Sequence, residues 1–179
     1  MTQLINRGVL AVVFGTLLAA GSSPAKDVPL ADKVRHELNM LPYYGVFDAI
    51  SYEVTGNTVT LSGAVHYPML ASDAAGVVKS IPGVGSVSNQ IEVLPLSRFD
   101  DQIRLAAWRT VYSWPTMSRV ASMPLPPVRI LVKNGDITLV GMVPTQADKD
   151  ALNLRVNGIP NVFTVKNELV VENPPNPKG

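Results

Sequence analysis

Displacing the chain by 78 residues aligns it with itself without a gap. Val54 falls on Val132, Thr60-Leu61 on Thr138-Leu139, Gly63 on Gly141 and Val65 on Val143. The register then holds through Val78 and Val156, Ile81-Pro82 and Ile159-Pro160, Val84 and Val162, Val87 and Val165, Asn89 and Asn167, and Val93 and Val171. A repeat of this period is one supersecondary unit built twice. Any fold assigned to the first copy must therefore suit the second.

Within each copy the periodicity changes in the same order. Ile50-Ser51-Tyr52-Glu53-Val54 alternates up to Gly56-Asn57, and Val59, Leu61, Gly63 and Val65 then share one strand face. The second copy repeats this with Val128, Ile130 and Val132, the turn pair Asn134-Gly135, and Ile137, Leu139, Gly141 and Val143. A mid-strand glycine weakens a strand, so its recurrence predicts close approach of the packed helix or a bulge, with ligand contact to bare backbone as the functional alternative. A helix follows, opened by Pro68 in one copy and capped by Thr145, with Asp148 three residues on, in the other. Its stripe is Ala74, Val78 and Ile81, matched by Leu152, Val156 and Ile159. Pro82-Gly83 and Pro160-Asn161 stop it, and closing strands are predicted over Ser86–Leu94 and Phe163–Val171. Asn89 and Asn167 are read as satisfying backbone groups at a strand edge. An opening helix precedes each copy, with stripes Leu30, Val34, Leu38, Leu41 and Ile103, Ala107, Val111. Asp32 and Asp100-Asp101 lie near their positive ends. The expected class is α+β: two tandem α-β-β-α-β modules, each with two helices on one face of a three-stranded mixed sheet.

Ahead of the repeat, Val9–Ala20 is an apolar run preceded by Arg7 and followed by Gly21-Ser22-Ser23-Pro24-Ala25. That pattern predicts a secretory signal over residues 1–25, cut after Ala25 or after Gly21; an uncleaved anchor is the alternative. The run is shorter than the roughly 20 apolar residues of a spanning helix. With 0 cysteines the chain has no lipoprotein anchor, disulfide or thiolate site. The expected divisions are a first module over 28–96, a second over 98–173, and a flexible tail over 174–179. A net charge of +1 from 15 basic and 14 acidic residues lacks the basic excess of a nucleic-acid binder.

Catalytic patterns are scarce. The chain has no phosphate-binding glycine loop, H-E-x-x-H or G-x-S-x-G. Its 2 histidines, His36 and His66, read as structural, so no catalytic residue, metal or cofactor is expected. The second copy is longer between its opening helix and first strand, and the extra residues concentrate Trp108, Tyr112, Trp114 and Met117, with Arg109 and Arg119 interleaved. Aromatic rings with a polar edge suit the headgroup level of a bilayer, and arginines meet phosphates bidentately. These six are the candidate lipid- or partner-binding residues. The competing reading packs them over the second module or across the junction between modules. Pro42-Tyr43-Tyr44-Gly45-Val46-Phe47 occupies the matching place in the first copy.

The order of elements, with TVTLSGAV followed by a helix and IPGVGSVSNQIEVLP, resembles the BON family (bacterial OsmY and nodulation). The second copy resembles it through ITLVGMV and IPNVFTVKNELVV, with Asn161 where glycine is usual. The resemblance implies an envelope or periplasmic role, often in osmotic or other stress, with phospholipid-surface binding the usual proposal. The expected protein is therefore exported and non-catalytic, with a phospholipid surface or envelope proteins as partner. The alternative is a periplasmic protein-interaction or chaperone-like module that ignores lipid.

Overall fold

The computed structural model describes residues 28–172, so the predicted signal over 1–25 and the tail over 174–179 lie outside the described residues. The first copy contains α1 (Leu30–Asn39), β1 (Ala49–Thr55), β2 (Thr58–Val65), α2 (Pro68–Lys79), β3 (Ser86–Asn89) and β4 (Glu92–Val93). The second contains α3 (Arg98–Tyr112), the single turn α4 (Pro115–Ser118), β5 (Val128–Lys133), β6 (Asp136–Val143), α5 (Gln146–Asn157) and β7 (Val165–Val171).

The two sheets share one plan. β1 pairs antiparallel with the central β2, as β5 does with β6. The chain then crosses over through a helix, because a parallel partner cannot be reached by a tight turn, and β3 and β7 pair parallel to β2 and β6. One expectation needs correcting in detail. The closing strand predicted over Ser86–Leu94 is interrupted at Gln90-Ile91, so β3 and β4 each pair with a different stretch of β2. In the second copy the strand is continuous but begins at Val165 rather than Phe163.

Each module closes its own core. Val34 and Leu38 of α1 and Leu70, Ala74 and Val78 of α2 cover Val59, Leu61 and Val65. Ile103, Ala107 and Val111 with Leu152 and Val156 do the same over Ile130, Val132, Ile137 and Leu139. Asn89 and Asn167 play identical parts. Their amides donate to the carbonyls of Ala71 and Lys149, and their carbonyl oxygens accept from the N–H groups of Ile91 and Leu169. They stitch the closing strand to the crossover helix.

The recurring strand glycines answer to the backbone paired with them rather than to the packed helix. Gly63 has φ +107° and Gly141 φ +121°, and a Cβ on either would collide with a carbonyl, that of Ala49 at the start of β1 or that of Pro127 just ahead of β5. Gly63 is exposed rather than turned into the core.

Candidate functional site

α3 opens the second copy and leads into its added segment, and its residues separate by face. Ser97 caps it, accepting from the Asp100 N–H at 3.3 Å. Asp100 itself is fully buried, and its carboxylate accepts from the N–H groups of Asn134 and Gly135 at 3.0 and 2.9 Å. It therefore clamps the β5–β6 turn, beyond the helix-dipole role expected from its position. The outward face carries Leu105, Trp108 and Arg109, three and four residues apart and so on one side of the helix. Leu105 is 52% and Trp108 36% exposed.

The six candidate residues therefore do not form one surface. Trp108 and Arg109 lie on the outer face of α3, and Arg119 is exposed just beyond α4. Tyr112 and Met117 are buried in the second core. The Tyr112 hydroxyl donates to the Val128 carbonyl at 2.5 Å, and burial pushes its ionisation up to about 12, so it is a packing group. Trp114 is half-buried, lies under the Arg155 guanidinium at 5.4 Å, and donates through Nε1 to Asp148 at 2.9 Å. The segment after α3 thus folds back over its own module.

Asp148 explains how. At 5% exposure it accepts from Trp114 Nε1, Thr116 Oγ1 (2.8 Å) and Thr145 Oγ1 (2.6 Å). Burial opposes its charge, but these hydrogen bonds outweigh that and hold the carboxyl below its ordinary range. Seventy-eight residues earlier the repeat places Leu70, fully buried and apolar. The module has exchanged a core leucine for a carboxylate that anchors the added segment.

The shorter equivalent in the first copy goes elsewhere. The Val46 carbonyl accepts from the Ile130 N–H at 2.9 Å, capping the free edge of β5 in the other module. Arg129 donates to the Gly45 carbonyl at 2.8 Å and lies 5.0 Å from the centre of the Tyr44 ring. Val46 and Phe47 pack on the second core. Beside this junction opens a cavity of about 430 Å³ lined by Phe47, Asp48, His66, Asp101, Arg104 and Leu105, among others. Asp48 is 2% exposed and accepts from the Gly45 and His66 N–H groups at 2.9 and 2.7 Å. Burial raises its carboxyl above the ordinary range despite those bonds. Burial and then the Arg104 charge lower the imidazole of His66. In the sequence this cluster has one signal, that Asp48 and His66 have no counterparts 78 residues on in the second copy.

No described helix is long and apolar enough to cross a membrane. The family model of the BON domain matches residues 26–95 and 119–173. Among solved structures, the chain is similar to the C-terminal domain of CdsD, the structural protein of the type III secretion system of Chlamydia trachomatis. That match has 12% identity and a TM-score of 0.31, covering 83% of this chain and 100% of that one. A second CdsD structure from the same organism matches at 13% identity and a TM-score of 0.28, covering 81% and 92%. Likeness this remote transfers nothing to this chain. No curated protein matches.

Proposed function

The chain belongs to the BON-domain family, and from that premise we propose that it is an exported, non-catalytic binding protein of the cell envelope. Its second module rests on phospholipid surfaces through the outer face of α3. One observation carries this reading: Ile103, Ala107 and Val111 point into the core while Leu105, Trp108 and Arg109 stand outward on the same helix. An exposed leucine and indole would enter the interfacial region, and Arg109, with Arg98 and Arg119 also exposed, would meet lipid phosphates. Trp108 sits 6.1 Å from the buried Tyr112 ring, which holds it in place. Tyr112, Trp114 and Met117 serve this surface from behind, as the packing that fixes α3 and α4.

Co-sedimentation with vesicles tests the reading. The parent protein should pellet with vesicles rich in phosphatidylglycerol and less with phosphatidylcholine. Trp108→Ala and Leu105→Ser should each weaken binding about ten-fold. A parent that stays in the supernatant with both compositions refutes lipid contact and leaves the protein-interaction alternative.

A further inference from the structure

Each sheet has two edges, and three of the four are blocked. On β5 the Val128 carbonyl accepts from Tyr112, the Ile130 N–H donates to the Val46 carbonyl, and the Val132 carbonyl accepts from Arg104. On β7 the Leu169 N–H donates to the Asn167 side chain and the Leu169 carbonyl accepts from Lys149. The third edge is short and broken into β3 and β4. Devices of this kind keep a sheet from pairing with another chain.

β1 is left open. Its Ile50 N–H donates to the Tyr44 hydroxyl at 3.1 Å and so faces away from β2. Backbone direction alternates along an antiparallel strand, so the N–H and C=O groups of Tyr52 and Val54 face the same free side. Among the described residues no backbone group beyond the sheet bonds them. The strand has no lysine, proline or bulge to protect it. The repeat supplies the comparison. Val128, Ile130 and Val132, the counterparts of Ile50, Tyr52 and Val54, are fully buried, whereas the three in β1 are only half-buried. Arg35 stands to Val34 and Leu38 as Arg104 does to Ile103 and Ala107, yet it pairs with Asp32 in solvent. The first module lacks the cover that the second has.

We propose that β1 is a self-association edge, on which a second copy of this chain pairs its own β1 antiparallel about a two-fold axis at Tyr52. The occupant has to be extended chain, because only a backbone in register satisfies such an edge. The segments of this chain placed to supply one are committed elsewhere, Tyr43–Phe47 to β5 and the residues after α3 to Asp148. A second β1 fits by charge. With Tyr52 opposite Tyr52, Glu53 meets Ser51 of the second copy and Val54 meets Ile50, whereas a register centred on Glu53 sets two carboxylates against each other. The two Tyr52 residues exchange N–H and C=O, and each Val54 N–H reaches the Ile50 carbonyl of the other copy, while the Ile50 N–H stays with Tyr44. The symmetry makes every contact occur twice.

Sedimentation velocity over a concentration series tests this, with amide hydrogen exchange read at both ends of the series. The parent should pass from monomer to dimer, and the Tyr52 and Val54 amides should become protected as it does. Ser51→Lys sets a cation against Glu53 of the second copy and should tighten the dimer about three-fold, and Ser51→Glu should loosen it about three-fold. Ser51 and Glu53 are both exposed, so the urea midpoints of these variants should stay near that of the parent. Adding Glu53→Lys to Ser51→Glu should restore the parental association. No vesicles are present, so the outcome is independent of lipid contact through α3. A protein that stays monomeric at every concentration, a dimer indifferent to charge at position 51, or a dimer whose Tyr52 and Val54 amides exchange freely would each overturn the proposal.

Discussion

Alanine at Gly141 puts the explanation of the paired strand glycines at risk. The backbone there has φ +121°, outside the regions that L-residues occupy comfortably, and holding such a conformation costs about 1–3 kcal/mol. The new methyl would also press on the Pro127 carbonyl, whose carbon lies 3.1 Å from the Cβ position. That carbonyl cannot swing aside like a side chain. It accepts the Met142 N–H at 3.1 Å, so displacing it loosens the start of the β5–β6 ladder. Overpacking of this kind adds about 1–3 kcal/mol, for a combined loss of about 2–6 kcal/mol. Urea unfolding followed by tryptophan fluorescence reads this directly, because both tryptophans belong to the second copy. The midpoint should fall with the slope unchanged. Gly63→Ala should lose a similar amount in the transition followed by circular dichroism. Gly76→Ala is the internal control: this glycine lies in α2, with nothing within 4 Å of its Cβ position, and should gain about 0.5–1 kcal/mol. If Gly141→Ala stays within about 1 kcal/mol of the parent, or Gly76→Ala falls as far as Gly141→Ala, the backbone-collision account is wrong.

Asp148→Leu restores the residue type found at Leu70, yet strips three donors of their acceptor. It should cost about 2–3 kcal/mol and shift tryptophan emission to the red as the α4 segment lifts. The same carboxyl has its folded pKa below the unfolded value, so its contribution is full above about pH 4 and is lost as pH falls through the folded pKa. Asp148→Asn should flatten that part of a plot of urea midpoint against pH. His66, lowered in the fold, works further up the scale. Stability should decline as pH drops from about 6.5 towards the folded pKa, and His66→Gln should remove that decline. Asp100→Ala leaves the Asn134 and Gly135 N–H groups without their acceptor and should cost about 2–4 kcal/mol by thermal unfolding. Asp100→Asn, which keeps one acceptor oxygen, should recover part of it.

Local patterns carried the architecture well. Val34 and Leu38, or Leu152 and Val156, announce a buried helix stripe by spacing alone, and Ile130, Val132, Ile137 and Leu139 alternate as strands covered on one face. Each depends on neighbours in sequence. The interruption of the first closing strand at Gln90-Ile91 was less visible, since it follows Asn89, whose side chain bonds both α2 and the Ile91 N–H, and only the packed helix reveals that contact. The candidate surface was legible as a composition but not as a geometry. Aromatic residues and arginines in one segment cannot say which rings face inward. Tyr112 and Met117 entered the core because β5 and the Val128 carbonyl lie beneath them, and Trp114 turned towards an aspartate 34 residues away.

The duplicated pattern of apolar spacing, turn residues and helix stops was sufficient to determine the module and its number. Those signals are short-range, and they occur twice. How the two modules meet was decided only when the chain closed on itself. The Tyr43–Phe47 loop found the open edge of β5, Asp48 gathered the His66 backbone, and Arg104 arrived from another helix. These groups meet through long-range contacts, which no periodicity along one stretch of chain encodes.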